Sequence, residues 1–152
     1  MESIKQFLFS RSFTVDTLQN VPVEKWDEQP SGCPNSIRWN AGHIYFSTEA
    51  LLNMADESYK VERPEWGVLF ATGTRPSEWT GDVTEAAAIL QALKQQGARI
   101  EAHFAGKLTA AASIPLNIRG HEMENAEAIL QFVTWHEGSH AGMIKTISNV
   151  LK

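Results

Sequence analysis

The sequence predicts an all-α protein: a four-helix bundle with one long crossover between its second and third helices. Three observations lead there. Four segments repeat apolar residues at helical spacing. The connection over residues 56–81 carries Trp66, Leu69, Phe70 and Trp79, too many apolar anchors for a flexible linker. Nowhere do strands alternate with helices as in an α/β chain.

The first helix is expected over residues 3–20, where Ile4, Phe7, Leu8, Val15 and Leu18 share a face. Arg11 falls on that face and is expected to stretch its charged head to the rim. Val21-Pro22 ends the helix. Residues 24–34, with Pro30, Gly32 and Pro34, read as a loop. Asn35 and Ser36 are good N-caps for a second helix that runs to about residue 55. Ile37, Ala41, Ile44 and Leu51 form one apolar stripe. Trp39, His43, Phe46 and Ala50 form its neighbour. Gly42, mid-helix, costs about 1 kcal/mol against alanine and points to a close helix–helix approach.

Pro64, Gly67, Gly73, Pro76 and Gly81 punctuate the connection. A loop this long in a small domain is packed by its own side chains. Lying across the bundle, it would let two helices run in the same direction. The third helix begins after Asp82 or Thr84, buries Ala86, Leu90, Leu93, Ile100 and Phe104, and ends near Lys107. Residues 110–121 read as a loop or one small strand around Ile114-Pro115-Leu116-Asn117-Ile118. The fourth helix begins near Glu124 and Asn125 and runs almost to the end, with Ile129, Phe132, Val133, Met143, Ile144, Ile147 and Leu151 along one stripe. With no internal repeat, residues 1–152 read as one domain.

A net charge of −5 gives no basic face for phosphates, so no nucleic-acid partner is expected. No apolar run approaches the roughly 18 residues of a membrane span. The start, MESIKQFLFSRSF, lacks the apolar core and cleavage site of a signal peptide. Cys33 is the single cysteine, which precludes an intramolecular disulfide and suits the reducing cytoplasm.

The chemistry concentrates in the histidines. Residues 136–140 spell H-E-G-S-H, a literal match to the zinc-protease pattern. On a helix His136 and His140 stack one turn apart. Phe132, His136, His140 and Met143–Ile144 read as one inward row, so two imidazoles replace core residues. Buried imidazole nitrogens need partners, and a divalent metal satisfies two at once. His43, on the Trp39/Phe46 stripe of the second helix, is the natural third ligand. Three histidines from two helices leave coordination positions open, as in catalytic sites. The bland reading stands beside this one: the rings hydrogen-bond to each other and to water with no metal. His103 and His121 are expected at the surface. The protease reading fails for want of a downstream ligand, because the 12 residues after His140 contain no His, Asp or Glu. Glu137 lies about 100° round the helix from His136 and is expected to face solvent or support a ligand rather than act as base. Cys33, between Gly32 and Pro34, is not expected to be a nucleophile.

W-N-A-G-H-I (Trp39 to Ile44), H-E-G-S-H (His136 to His140) and the connection A-T-G-T-R-P-S-E-W (Ala71 to Trp79) together resemble the DinB/YfiT-like superfamily over nearly the whole chain. The resemblance implies an up-down-down-up bundle with a divalent metal, zinc or nickel, on His43, His136 and His140. It also implies a homodimer and, from some relatives, thiol S-transferase or isomerase chemistry with a low-molecular-weight thiol.

The expectation is therefore a divalent-metal-binding DinB-like protein, foremost a metal-dependent thiol S-transferase acting on a small-molecule substrate. A metal-dependent hydrolase is the alternative enzyme. A non-catalytic, metal-stabilised interaction module is the alternative outside catalysis, and it would need a fourth protein ligand to close the site. Glu49, Glu101 and Glu137 are the candidates for that role.

Overall fold

A computed structural model describes residues 1–152. Four long helices dominate it: α1 (Glu2–Gln19), α2 (Ile37–Ala55), α4 (Ala86–Phe104) and α5 (Ala126–Val150). Between α2 and α4 lies a single helical turn, α3 (Gly67–Phe70), and between α4 and α5 a small antiparallel pair, β1 (Ala111–Ile118) and β2 (His121–Asn125). No helix is long and apolar enough to cross a membrane.

Two side-chain caps start their helices, of which Ser36 is the predicted one. Ser36 Oγ accepts the Trp39 amide at 3.2 Å, and Asn125 Oδ1 accepts the Ala128 amide at 2.8 Å. Each long helix packs on two others, in the cycle α1–α5–α2–α4 and back to α1. Ser3 meets Glu127 and Arg11 meets Glu137, so residue numbers rise together along α1 and α5. They run in opposite senses along α2 and α5, where Asn40 meets His140 and His43 meets His136. Along α2 and α4 they rise together again, from Tyr45 with Gln96 to Asp56 with His103.

The core has two apolar clusters. One gathers Trp26, Ile37, Ile44, Tyr45, Phe70 and Leu93; the other gathers Phe7, Leu52, Ile100, Phe104, Met123 and Leu130. Each long helix passes from one cluster to the other through a buried polar residue: Arg11 in α1, Glu49 in α2, Gln96 in α4 and Glu137 in α5. Glu49 accepts from the Tyr59 hydroxyl, Gln96 Nε2, Arg99 and the Glu62 amide at 2.8–2.9 Å. Arg11 donates through Nε and Nη2 to the two Glu137 oxygens at 2.8 and 3.0 Å, and through Nη1 to the Leu93 carbonyl at 2.8 Å. Arg11 therefore does not reach the rim as its long stem suggested. It is 4% exposed, because a buried carboxylate on α5 and a carbonyl on α4 satisfy its fork.

The all-α expectation needs one amendment. Residues 110–121 are neither a loop nor a lone strand but the first arm and turn of a hairpin. Ile118 pairs with His121 around a two-residue turn, Arg119-Gly120, and both turn residues have positive φ (54° and 86°). The register is irregular between Ala111 and Leu116, where Pro115 cannot donate to the ladder. Leu116 and Met123, paired across the hairpin, are its buried members and seal the second cluster. The crossover does lie on the bundle, with Trp66 and Phe70 buried. The close approach at Gly42 is to the short helix α3 rather than to one of the long helices: a Cβ there would meet the Phe70 ring at 2.5 Å.

Removing one partner of a fully buried ion pair strands the other, at a cost of about 3–5 kcal/mol. Arg11→Met and Glu137→Gln should each lower unfolding stability by about that amount in urea titrations. The double variant should lose less than the sum of the two. Additive losses would show that the pair does not act as a unit.

Candidate metal centre

His43 is on α2, and His136 and His140 are on the facing side of α5. Their ring centroids lie 4.6–5.1 Å apart in a triangle. One nitrogen from each ring lies within 4.8 Å of the others, the single group of three or more His, Cys, Asp or Glu placed to hold an ion. His43 Nε2 and His136 Nε2 are 3.3 Å apart. Two nitrogens bound at 2.0–2.1 Å to one tetrahedral ion are separated by about 3.3–3.4 Å, so this edge of the triangle has a ligand-pair length.

Hydrogen bonds fix two tautomers. His43 Nδ1–H donates to the Phe70 carbonyl at 2.7 Å, which makes Nε2 the nitrogen that carries the lone pair. Asn40 is fully buried; its Nδ2 donates to the Ser36 carbonyl at 2.8 Å, so its Oδ1 is turned to accept from His140 Nδ1–H at 2.8 Å. Nε2 of His140 is then also a free acceptor. Two lone pairs and a third imidazole thus converge on one spot. Burial, chiefly, holds all three rings neutral. It lowers His43 below 6.5 against the opposing pull of the Phe70 carbonyl. It lowers His136 to about 4 with help from His43, and His140 to about 3 with help from His43 and His136. Neutral imidazoles with free, convergent lone pairs are the protonation state that a metal requires, so the residues present fit a divalent ion.

The surroundings correct several expectations. His136 and His140 are half-buried, at the edge of the α5 core stripe rather than on it. Glu137 takes the inward position, fully buried on Arg11, and neither faces solvent nor reaches the triad's free lone pairs. Glu49 is committed to Tyr59, Gln96 and Arg99, and Glu101 is exposed. None of the three candidate glutamates closes the site. His121 is exposed as expected, but His103 is half-buried, bonded to Asp56 at 2.8 Å and edge-on to Tyr59. Cys33 is half-buried and lines a cleft with Ser139, Gly142 and Met143.

Four contributors escaped the sequence reading: Asn40, Ser47, the Phe70 carbonyl and Thr74. Ser47 Oγ lies 3.3 Å from His43 Nε2. Thr74 Oγ1 accepts Trp39 Nε1–H at 2.9 Å, and Trp39 stacks on His43 with centroids 4.4 Å apart and planes 12° apart. Asn40 left a signal, a polar side chain on a buried helix three residues before His43. A backbone carbonyl leaves none. A cleft of about 720 Å³ beside Arg38 and Trp79 shares no residue with the triad.

The DinB superfamily model matches residues 6–144. The chain therefore belongs to the DinB superfamily. No curated protein matches it.

The lowered histidines make acid destabilising. A histidine that titrates near 6.5 when unfolded and near 3–4 when folded leaves the unfolded chain binding more protons between those values. Metal-stripped protein should lose stability steadily as pH falls from about 6.5 towards 4. In His136→Leu/His140→Leu that slope should flatten. An unchanged slope in the double variant would assign the acid sensitivity elsewhere.

Proposed function

We propose that this member of the DinB superfamily binds one divalent metal ion through His43, His136 and His140 and uses it as a thiol S-transferase acting on small electrophiles. One observation carries the reading. Three neutral imidazoles converge where no fourth protein ligand stands ready, and two of them are half-open to solvent. A site open on one side is the catalytic pattern; a structural site is closed by protein. A bound divalent ion supplies one thing here: it lowers the pKa of a thiol or water at an open position.

The chain's own residues do the rest. The Phe70 carbonyl and Asn40 Oδ1 hold the two Nδ1 protons and aim the Nε2 lone pairs at a common point. Trp39 fixes the plane of His43 by stacking. Electrostatics favours an anionic thiolate as the incoming partner. The triad is neutral, and the nearby Glu137 carboxylate is already balanced by Arg11. The charge of a divalent ion would therefore be uncompensated until an anion joins it. A hydroxide satisfies the same demand, so a hydrolase is the reading that competes for this site.

The finer family features belong to this proposal as well: zinc or nickel as the ion, a low-molecular-weight thiol as co-substrate, and a cytoplasmic homodimer. So does the up-down-down-up helix order, which the pairings of Ser3 with Glu127, Asn40 with His140 and Tyr45 with Gln96 support.

Purified protein dialysed against zinc or nickel should retain about one ion per chain by elemental analysis. His140→Ala should lose most of it, and wild type should release it as pH falls towards about 4, where protons begin to compete for His136. Equal metal in wild type and His140→Ala would remove the triad from the site. In a screen of thiols against electrophilic small molecules, the loaded protein should consume both together. Electrophile consumption without thiol would favour the hydrolase.

A further inference from the structure

The crossover meets the triad at two places, and both contacts fall on the same histidine. The Phe70 carbonyl, at the end of α3, accepts the Nδ1 proton of His43 at 2.7 Å. Four residues on, Thr74 Oγ1 accepts the Trp39 indole N–H at 2.9 Å, and Trp39 covers the face of His43. The segment is itself tied: Trp79 Nε1–H and the Thr74 hydroxyl both reach the Leu69 carbonyl, at 3.0 and 2.9 Å. The Phe70 ring lies fully buried against α2 directly over Gly42, at a distance that leaves no space for even a methyl group. A second glycine, Gly67, lets the same segment approach α2 from the other side, since a Cβ there would meet the Phe46 ring at 2.9 Å.

We infer that the crossover segment of residues 67–79 is the positioning element of the metal centre, seated by Gly42, and that its docking and ion binding are coupled. The physical reasoning is short. If Phe70 lifts from Gly42, its carbonyl leaves Nδ1 of His43. Only Ser47 Oγ then remains beside the ring, at 3.4 Å from Nδ1 and 3.3 Å from Nε2; it serves either nitrogen, so the lone pair at Nε2 is no longer reserved for an ion. With Thr74 gone too, Trp39 no longer has its anchor and the His43 ring is free to turn. An ion that requires Nε2 of His43 therefore binds better to the docked state, and by linkage the ion must favour docking by the same factor. Partners of this kind, acting through a ligand's second nitrogen, typically change metal affinity about 10–100-fold. His140 depends less on the crossover, because its proton is held by Asn40 from within α2 and Trp39 meets its ring only at a tilt, with centroids 6.0 Å apart. The inference rests on the proposed ion site and adds what regulates it.

The test uses the full chain and zinc alone. Zinc affinity is measured by competition with a chromophoric chelator for wild type, Gly42→Ala, Thr74→Val and a control, Ile129→Ala. The control removes buried volume in the second core cluster, away from the triad. Gly42→Ala should weaken zinc binding about ten-fold or more and Thr74→Val by a smaller factor. Ile129→Ala should lower the melting temperature yet keep zinc affinity within about two-fold. Hydrogen exchange on wild type supplies a readout that survives any failure of Gly42→Ala to fold: zinc should slow amide exchange in residues 67–79 more than in the β1–β2 hairpin. Wild-type affinity in both Gly42→Ala and Thr74→Val, or equal slowing in segment and hairpin, overturns the coupling while leaving the ion site intact. Wild type that takes up no zinc overturns the ion site itself, and the coupling with it.

Discussion

The ion pair of Arg11 and Glu137 sets the rotation of α5, and the placement of the histidine triad depends on that rotation. A buried carboxylate on a long helix has little freedom. Once Glu137 is held by both guanidinium bonds from α1, the helix cannot roll without stranding a charge. At about 100° per residue, His136 and His140 then fall about 100° and 60° to the same side of Glu137. That places both at the margin of the core stripe, facing α2 rather than the bundle axis. Their half-burial follows directly, and so does the open side of the site. A fully inward pair would have been sealed by the bundle.

The same pair belongs to a polar layer that divides the core at mid-height. Arg11, Glu49, Gln96 and Glu137 each interrupt an apolar face between one hydrophobic cluster and the other. Ionic groups in such positions are weak sources of net stability, since desolvation offsets most of their attraction. Their use is register. An apolar seam tolerates a one-turn slip of one helix against its neighbour. A layer in which Arg11 must meet both Glu137 and the Leu93 carbonyl does not. His136 stands at the level of this layer, beside Glu137 in sequence, while His43 lies about 9 Å along α2 from Glu49. Fixing the register of α1, α4 and α5 thereby fixes the height at which the α5 histidines meet His43.

What was legible in the sequence follows from how local each signal is. Ser36 and Asn125 cap their helices by hydrogen bonds to residues three positions on, so the sequence contains the whole interaction. His136 and His140 share a face through helix geometry alone, and a polar ring on an apolar stripe marked His43. The match of the family model to residues 6–144 bears out the family resemblance. What stayed hidden is long-range. Arg11 and Glu137 are 126 residues apart, and nothing near either says that the other will meet it. Gly42 announced a close approach but not its occupant, Phe70, which arrives from a crossover without periodicity. The hairpin was masked twice over: Pro115 and the irregular register break the strand's alternation, and its turn puts an arginine, not the usual asparagine or aspartate, at positive φ.

The fate of the protease motif shows why spacing must be joined to rotation before it carries chemistry. In an H-E-x-x-H enzyme the two histidines bind the metal and the glutamate serves as base for the water bound there. That demands a carboxylate free to approach the metal's open side. Here the histidines keep the i, i+4 geometry of the motif, but Glu137 is fully buried and both its oxygens are engaged by Arg11 of α1. Turning it towards the triad would strand the Arg11 charge in the core, a cost of several kcal/mol by the usual measure of broken buried pairs. The third ring comes from α2, upstream in the chain, rather than from the downstream segment that completes such enzymes. Two histidines and a glutamate in the same letters thus do different work: the imidazoles form the site, and the carboxylate fixes the helix that presents them.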